Sequence, residues 1–311
     1  MKDIKIKSPI NYTGNKYRLL EQFDKYIPKK CKKFVDLFCG GATVGFNIDA
    51  EEIILIDGNP RIISLLKTLA EKDIEKIISK VEYFIEKYNL SYSYKYKYSH
   101  YKELGYVTGN NGLKKCNEEG YYKLRQAYNK LKNKDTFNAN IHLYTLMVYA
   151  FNNDIRFNSR GEFNLPCGKT DFNKNNYEKL IAFNNRAKEI NYKFICADFR
   201  CEEVKEELLN SDFVYCDPPY LITTAVYNEN NGWSEKEEEA LLKLLKEIDK
   251  KKISFALSNV IKKEGKENTL LIKCVKENNY NKNLINYHYR SSSYNKKNRD
   301  SNEEEVLVTN G

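Results

Sequence analysis

Two consecutive prolines, Pro218 and Pro219, follow the segment 212–216, in which a short run of aromatic and apolar residues comes after Asp212. Such a run between polar breaks is typical of a buried β-strand. Because proline has no backbone N–H to donate to a sheet, the strand must end before Pro218. Open α/β sheets bind ligands beside the carboxyl ends of their strands. The sequence therefore predicts a strand that ends in a ligand-binding corner, the tetrapeptide 217–220.

This tetrapeptide has the chemistry to bind a planar amine. The amino group of adenine is a poor nucleophile, since its lone pair is conjugated with the ring. The Asp217 carboxylate and the Pro218 carbonyl can accept its two N–H bonds and favour a tetrahedral nitrogen, while Tyr220 can stack on the base. We predict these three as the catalytic residues. A proline turn that only ends a strand is the alternative.

A strand–turn–helix–strand pattern near the amino terminus predicts the fold class. Residues 34–38 and 52–57 are apolar runs typical of buried strands, and Asn59 followed by Pro60 is a helix start. This pattern is typical of an α/β fold with a parallel, doubly wound sheet. Further strands are predicted at 192–197, 253–257 and 305–309, a short helix at 43–48, and longer helices at 177–190 and 234–251.

The middle of the chain interrupts this pattern. Helices are predicted at 74–88, 118–131 and 141–151, and residues 154–166 alternate around a Ser-Arg-Gly turn as in a β-hairpin. We therefore predict one catalytic and cofactor-binding core formed by residues 1–69 and 173–311. A mostly helical domain at 70–172, which carries the hairpin, is inserted into that core.

Two acidic strand ends indicate a nucleoside cofactor. Asp36 begins the motif Asp-Leu-Phe-Cys-Gly-Gly in the first strand, and Asp57 ends the second. Dinucleotide sites have a similar arrangement, in which the second acid binds ribose hydroxyls. However, no G-x-G-x-x-G motif is present, and Asp36 would repel a pyrophosphate but suit the ammonium of a methionine moiety. These features favour S-adenosylmethionine over NAD, with an ordinary βα turn as the alternative.

Two further positions are candidates for the same cofactor. The turn at 12–17 presents Lys16 beside Tyr12, and a cation and a ring can hold a carboxylate and an adenine. Asp198 ends another predicted strand and can accept a hydrogen bond from the adenine amine, with Phe199 packed against the ring. Each has an ordinary alternative, a solvated lysine and a helix cap.

The chain carries 52 Lys and Arg residues against 43 Asp and Glu, a formal net charge of +9. This excess favours an anionic partner, nucleic acid first, although a general compositional bias would produce it too. The alternating Tyr and Lys residues at 91–101 could stack on bases and contact phosphates, but a solvated edge strand or mobile loop is the preferred interpretation. The basic loop at 290–299 could contact phosphates or simply be solvated.

Neither a metal site nor a membrane segment is expected. The eight cysteines show no paired zinc-type spacing, and there are only three histidines. Cys39, Cys196 and Cys216 lie in apolar or motif contexts and are expected to be buried. The amino terminus lacks the apolar stretch of a signal peptide, and no run approaches membrane-spanning length. These features predict a reduced, soluble, cytoplasmic protein.

The order of these motifs resembles that of the Dam-like, alpha-group DNA adenine-N(6) methyltransferases, and the resemblance spans nearly the whole chain from Pro9 onward. It implies a Rossmann-like methyltransferase sheet and a target-recognition role for the inserted domain. It also implies that Asp217 and Tyr220 hold and stack the target base. The resemblance places Lys16, Asp36, Phe38, Gly40, Asp57 and Asp198 at cofactor-binding positions, which Tyr12 and Phe199 complete.

The hairpin at 156–166 resembles the target-recognition hairpin of this family. Arg156 matches an arginine that reads guanine, a bidentate contact that contributes about 1–3 kcal/mol of discrimination. Phe151 and Asn152 match positions that fill the gap left by a flipped base, whose extrusion costs a few kcal/mol. The DNA-binding residues predicted in this way are Phe151, Asn152, Arg156, Asn158, Pro166 and Lys169.

Two positions depart from the family members that methylate GATC. Asn11 stands where such members often have a lysine. The tripeptide 168–170, Gly-Lys-Thr, stands where they tend to have Gly-Arg-Tyr. A GATC-like site is therefore one candidate target among others.

The predicted activity is methyl transfer from S-adenosylmethionine to the amino group of adenine in double-stranded DNA by base flipping, with or without a restriction endonuclease that acts on the same site. No cysteine nucleophile is needed, because the amine attacks the methyl group directly. The alternatives are an RNA adenine methyltransferase and a catalytically inactive DNA-binding protein of the same fold. The hairpin argues for DNA, and the intact acidic and aromatic motifs argue for catalysis.

Overall fold

The computed structural model describes residues 5–12, 14–28, 30–107, 109–223, 233–285 and 303–311. The chain forms two compact units. The helical unit comprises Met1–Asn15, Gly40–Asn47 and Asn59–Ile190, and the sheet unit comprises Lys16–Cys39, Ile48–Gly58 and Asn191–Gly311. The chain therefore enters each unit three times.

The sheet unit is built on one eight-stranded sheet. Its strands are β1 (Cys31–Leu37), β2 (Ala50–Asp57), β3 (Tyr192–Cys196), β4 (Phe213–Cys216), β5 (Ser254–Lys263), β6 (Lys266–Glu267), β7 (Asn281–Leu284) and β8 (Glu304–Thr309). Their order is β3-β2-β1-β4-β5-β8-β7, and β6 pairs with β5. Strands β1 to β5 are parallel to one another, whereas β8 is antiparallel to β5 and to β7. The predicted α/β fold with a parallel central sheet is confirmed.

The α-helices divide between the two units. They are α1 (Leu20–Phe23), α2 (Pro60–Glu71), α3 (Ile74–Lys87), α4 (Ser93–Tyr96), α5 (Tyr98–Glu103), α6 (Lys114–Asn129), α7 (Phe137–Tyr149), α8 (Lys174–Glu189), α9 (Glu202–Leu209), α10 (Glu235–Lys250) and α11 (Thr269–Asn278). Helices α1, α9, α10 and α11 belong to the sheet unit, and the others to the helical unit. The predicted start of α2 is confirmed, since the Asn59 side chain accepts from the N–H groups of Arg61 and Ile62.

The central strands are apolar because both faces of the sheet are covered. In β4, Val214 and Cys216 point into the core that also contains residues of α9, α10 and α11. Side chains alternate along a strand, so Tyr215 points to the opposite face. There its ring lies 5.7 Å, centroid to centroid, from that of Phe23 on α1. This burial confines the charged side chains of β1 and β2 to the two ends of each strand.

Helix α7 forms the centre of the helical unit. Every residue from 139 to 149 is buried, and Asn140 and His142 find hydrogen-bond partners on the neighbouring helices. The Asn140 amide donates to the hydroxyls of Ser64 and Thr68 on α2. The His142 ring nitrogen Nε2 donates to the Leu124 carbonyl of α6 at 2.8 Å. Helices α2, α3 and α6 all pack against α7.

Several predicted element boundaries are wrong. Helices α6 and α7 begin at Lys114 and Phe137, each four residues before its predicted start. Residues 43–48 form a single 3-10 turn, Gly45–Asn47, whose Asn47 amide donates to the carbonyls of Thr43 and Ile6. The Asn47 side chain thus makes a hydrogen bond to the Thr43 carbonyl that the backbone of a longer helix would otherwise make. Strand β5 does not end at residue 257, as predicted, but continues to Lys263, because β8 pairs with it along this stretch.

The preferred interpretation of residues 91–101 as an edge strand or mobile loop is also wrong. The segment forms the short helices α4 and α5. The buried Asp171 explains this, since it accepts hydrogen bonds from the side chains of Ser91 and Ser93 and from the Ser93 N–H. The Tyr92 N–H donates to the Tyr101 hydroxyl at 2.7 Å. The alternation of Tyr and Lys is therefore not the periodicity of a strand.

The expected burial of cysteines holds for Cys39 and Cys216, but Cys196 is exposed, because β3 is an edge strand. None of the helices in the described ranges is long and apolar enough to span a membrane. The loop at 290–299 lies outside the described residues. The domain boundaries predicted after residues 69 and 172 stay a prediction.

The buried His142 predicts acid sensitivity of the fold. Burial lowers the pKa of His142 from 6.5 to about 4, the Leu124 carbonyl opposes this shift, and the nearby Lys87 and Lys80 add to it. The folded state therefore binds fewer protons than the unfolded chain, and His142 costs stability as the pH falls from about 6.5 toward 4. The expected loss is on the order of 3 kcal/mol at pH 4.

Urea denaturation between pH 7 and pH 4.5 checks this expectation. His142→Gln should flatten the fall in the free energy of unfolding, since glutamine carries no titrating group. His100→Gln is the matched control, because His100 is exposed. Equal pH dependence in the wild type and in His142→Gln would contradict the prediction.

Candidate active site

The residues that follow β4 place polar groups around Asp217. The Lys16 ammonium lies 3.0 Å from Asp217 Oδ1 and donates to the Tyr220 hydroxyl oxygen at 2.7 Å. The Tyr220 hydroxyl lies 3.0 Å from the same carboxylate oxygen. The Lys16 side chain is 5% exposed and that of Asp217 is 18% exposed. Asp217 is therefore a shielded acceptor on which N–H and O–H donors converge, and such charge-assisted bonds are strong.

A second carboxylate, that of Glu305 on β8, completes this cluster. Its Oε1 lies 3.7 Å from Lys16 Nζ and 3.3 Å from the Tyr220 hydroxyl, and the side chain is 8% exposed. Sequence reasoning missed Glu305, because three consecutive glutamates at 303–305 suggest a solvated segment. Its position directly before the apolar run 306–308 was the signal that could have identified it.

Two buried carboxylates share one ammonium in this cluster. Burial raises the pKa of the Asp217 carboxyl, and the Lys16 ammonium and the Tyr220 hydroxyl oppose the rise. Burial also raises the pKa of the Glu305 carboxyl; Lys16 opposes this rise and the Asp217 charge adds to it. Lys16 therefore stabilises the charged form of both carboxyls, and its removal would leave buried charges without compensation.

Lys16 was predicted to bind the cofactor. The structure places its ammonium among Asp217, Tyr220 and Glu305, and the cofactor role stays a prediction. Pro218, predicted to offer its carbonyl oxygen, is buried directly after Asp217.

The acidic residues predicted to bind the cofactor lie at the carboxyl ends of neighbouring strands. Asp36 is the penultimate residue of β1, Asp57 is the last residue of β2, and Asp198 follows β3 by two residues. Asp36 is 1% exposed. Burial, then the charges of Asp57 and Asp36, raise the pKa of the Cys39 thiol, which is thus kept protonated. Within the described ranges, no group of three or more His, Cys, Asp or Glu residues could hold a metal ion.

The region after β3 contains both an ion pair and an aromatic cluster. Asp198 is paired with Arg200, with 2.6 Å between Oδ2 and the guanidinium. Phe199 is buried, and its ring centroid lies 5.3 Å from that of Phe38 and 5.6 Å from that of Trp233. The structure therefore brings together Phe38 and Phe199, which were predicted separately.

In the helical unit, Tyr12 packs directly on Gly40. Gly40 has a φ of +47°, and a Cβ at this position would lie 2.8 Å from Tyr12 Cδ1. A side chain at residue 40 would therefore be both strained and in collision with the ring. Glycine is needed here for the two predicted cofactor residues to be adjacent.

The predicted hairpin is confirmed by an isolated antiparallel bridge between Phe157 and Phe163. Asn158, predicted to bind DNA, organises the turn. Its Oδ1 accepts from the N–H groups of Arg160 and Glu162 at 3.0 and 2.9 Å. The Asn158 amide also donates to the Glu162 carboxylate at 2.8 Å. This one side chain thus makes three of the hydrogen bonds that hold the turn.

Helix α6 holds the hairpin in place. Asn129 exchanges two hydrogen bonds with the backbone of Phe163, at 3.0 and 2.8 Å. The Tyr121 hydroxyl and the Arg125 guanidinium both donate to the Leu165 carbonyl at 2.9 Å. Sequence reasoning missed these supporting residues, because a polar residue on an amphipathic helix ordinarily faces water.

The exposed side of the hairpin carries the other predicted contacts. Arg156 is exposed, and its Nε donates to Asn164 Oδ1 at 2.9 Å, which orients the guanidinium. Pro166 and Lys169 are exposed as well. The Pro166 carbonyl accepts from the Phe151 N–H at 2.9 Å and ties the hairpin to the preceding turn.

That turn holds a phenylalanine at the surface. The Phe151 side chain is 45% exposed, and the following Asn152 and Asn153 have φ values of +57° and +54°. Asparagine is among the few non-glycine residues that tolerate this region. The Asn153 amide donates to the Val148 carbonyl and to Thr170 Oγ1, which holds the turn.

Asn11 lies against the same turn. Its amide donates to the Asn152 carbonyl at 3.4 Å, and Lys179 Nζ on α8 donates to Asn11 Oδ1 at 3.3 Å. Burial lowers the pKa of Lys179, and the charge of Lys7 adds to this effect. A cation therefore reaches Asn11 from a helix distant in sequence, which no local motif indicated.

The contact between Gly40 and Tyr12 predicts that Gly40→Ala destabilises the protein by about 1–3 kcal/mol, because the new Cβ is strained and collides with the ring. Urea denaturation measures the effect. Gly58→Ala is the matched control, since the nearest atom to its Cβ is the Ala197 carbonyl oxygen at 3.8 Å. Equal denaturation midpoints for the two variants would refute this interpretation of Gly40.

Sequence comparisons identify the family. A family model described as D12 class N6 adenine-specific DNA methyltransferase matches residues 12–304. The chain is 38% identical over 311 residues to Type II methyltransferase M.FokI of Planomicrobium okeanokoites and 34% identical to Modification methylase StsI of Streptococcus sanguinis. These matches cover 98% of this chain but 43% of each relative, so the chain spans less than half their length.

A third relative is similar in length to this chain. DNA adenine methylase of Escherichia coli (strain K12) is 26% identical over 258 residues, which cover 80% of this chain and 79% of that protein. Because the family model matches nearly the whole sequence, the chain belongs to the D12 class of N6 adenine-specific DNA methyltransferases.

Proposed function

We propose that this chain transfers a methyl group from S-adenosyl-L-methionine to the exocyclic amino group of adenine at specific sites in duplex DNA, after the base has rotated out of the helix. The convergence of donors on the Asp217 carboxylate is the observation that carries this proposal. An acceptor that already binds an ammonium and a hydroxyl is suited to the N–H groups of an amine.

Asp217 and Pro218 orient the amine. The Asp217 carboxylate and the Pro218 carbonyl oxygen accept its two N–H bonds, which withdraws the lone pair from conjugation and directs it away from the acceptors. Tyr220 follows in the same corner and offers its ring to the face of the base. Positioning and charge alignment of this kind are the main sources of rate acceleration in a direct transfer.

The residues at the strand ends suit the proposed cofactor. When bound, S-adenosyl-L-methionine supplies a methyl group on a positively charged sulfur. Carboxylates only accept hydrogen bonds, as the donor groups of the cofactor require. We assign Asp36 to the ammonium, Asp57 to the ribose hydroxyls and Asp198 to the adenine amine. We assign the Phe38–Phe199 cluster to packing beside the adenine. Lys16, Gly40 and Tyr12, which packs on Gly40, are the remaining proposed cofactor residues.

The helical unit carries the proposed DNA contacts. Arg156 stands exposed on a hairpin that α6 supports, as a base-reading residue requires. Phe151 is held at the surface by the turn that follows it and is the proposed wedge, with Asn152 beside it. We assign Pro166 and Lys169 to the adjoining backbone, and Asn158 to the turn that presents Arg156.

Relatives named as modification methylases support a role in restriction–modification. We therefore propose that an endonuclease acts on the same site, which methylation protects. A cytoplasmic location follows from the same proposal, since the enzyme must meet duplex DNA and S-adenosyl-L-methionine together.

Asp217→Ala is expected to lower the rate of methylation by at least about a hundredfold, because the amine loses its charged acceptor. Binding of S-adenosyl-L-methionine should stay within about twofold of the wild type, since the acidic residues proposed to bind it, Asp36, Asp57 and Asp198, lie at the ends of other strands. Transfer of a tritiated methyl group to genomic DNA measures the first quantity, and calorimetric titration with the cofactor measures the second.

Asp212→Ala is the matched control, since Asp212 lies at the opposite end of β4, where its carboxylate accepts from the Lys33 N–H. It should retain activity. Matched duplex DNA and RNA substrates complete the test. Near-normal turnover of Asp217→Ala would refute the proposal, and methylation of RNA alone would support the RNA alternative.

Arg156→Ala is expected to relax sequence specificity at one base pair by about 1–3 kcal/mol, because a bidentate arginine contact is lost. Modified-base sequencing of DNA from cells that express each variant measures this. Arg160→Ala, at an exposed position of the same turn whose side chain is paired with Glu162, is the control and should preserve the recognition sequence. An unchanged recognition sequence in Arg156→Ala would contradict the role of Arg156.

A further inference from the structure

The Lys16 ammonium binds the same carboxylate, that of Asp217, that the proposed function assigns to the adenine amine. It is itself an amine with N–H groups directed at the carboxylate, at 3.0 Å from Oδ1. A target base whose amine donates to Oδ1 therefore displaces Lys16 from that oxygen. A buried ammonium that loses its carboxylate without finding another would be strongly destabilised.

Glu305 lies where such a replacement is needed. Its Oε1 is already 3.7 Å from Lys16 Nζ, so a small movement of the flexible lysine would bring the two into hydrogen-bond contact. The charged or titratable groups that act on Glu305 are Lys16, Asp217, Tyr220 and Glu303. The Glu303 carboxylate accepts from Lys263 at 3.0 Å and is therefore engaged elsewhere.

The Tyr220 hydroxyl has two acceptors but a single proton. It lies 3.0 Å from Asp217 Oδ1 and 3.3 Å from Glu305 Oε1, and it can donate to only one of them at a time. Rotation about its C–O bond is enough to exchange them. The cluster therefore has two arrangements, with the donors either on Asp217 or on Glu305.

We propose that Glu305 is a positioning residue that receives the Lys16 ammonium and the Tyr220 hydroxyl when the adenine amine binds Asp217. This inference rests on the proposed function and adds a residue that no motif assigns. In the free protein Lys16 neutralises Asp217. In the complex Glu305 neutralises Lys16, so that both oxygens of Asp217 are available to the base.

Glu305→Gln removes the second carboxylate and should leave Lys16 on Asp217. Two quantities are measured with a duplex in which 2-aminopurine replaces the adenine at the site mapped for the wild-type enzyme: affinity for the duplex and the fluorescence increase on base flipping. A third, kcat, is measured on the adenine duplex. Affinity should stay within about twofold, while kcat and the fluorescence increase fall by about tenfold or more, as expected for loss of a bond to a charged group.

Glu304→Gln is the matched control. It makes the same charge change on the neighbouring residue of β8, where the 45%-exposed Glu304 lies 3.9 Å from Lys282. It should behave like the wild type. Glu305→Asp keeps the charge on a shorter side chain and should restore part of kcat, which a purely structural role would not predict.

Three outcomes would overturn the inference. In the first, folded Glu305→Gln has a kcat and a fluorescence increase within about twofold of those of the wild type. This result is expected if Lys16 moves to the carboxylate of the cofactor and not to Glu305. Another is equal impairment of Glu305→Asp and Glu305→Gln. The third concerns the case in which Glu305→Gln does not fold. A kcat of Glu305→Asp equal to that of the wild type would then contradict the positioning role of Glu305. The proposed function fails separately, through absence of adenine methylation by the wild-type protein.

Discussion

One ammonium between two buried carboxylates determines the chemistry of the sheet unit. Asp217 is set in place by two prolines that end β4, and Glu305 by the pairing of β8 with β5. Neither carboxylate is well solvated, so each depends on Lys16 to remain charged. Water would separate these groups easily; inside the protein their attraction is large, and so is the cost of leaving one alone. Every group that enters this corner must therefore replace a partner as well as make a contact.

The helical unit achieves its geometry by a different means. Its exposed groups are held by hydrogen bonds from below: Asn129 and Arg125 to the hairpin backbone, and Asn153 to the residues around the Phe151 turn. Few of these bonds involve charged pairs, so they are less sensitive to salt than surface ion pairs. A rigid support lowers the entropy lost when an exposed side chain orders on binding. The residues proposed to contact DNA can thus be polar and exposed and still have a fixed orientation.

Local patterns predicted most of the sheet, because a strand buried on both faces must be apolar and a proline must end it. The start of α2 was equally visible, since capping at Asn59 depends on adjacent residues. Prediction failed where a distant residue decides the outcome. Asp171 binds Ser93 at the start of α4, β8 extends β5, and Glu305 and Lys179 reach their partners from other elements. Such contacts depend on tertiary folding, and no window of sequence contains both partners.

The interleaving of the two units has a consequence for synthesis of the chain. Strand β1 lies between β2 and β4, and its residue Phe34 pairs with Phe213. A nascent chain that has emerged only through the helical unit therefore exposes one unpaired apolar edge of β1 until β4 follows. Such edges invite pairing with other chains, and contacts between distant residues form slowly. Cotranslational folding of this protein should therefore depend on chaperone protection until the last third of the chain is available.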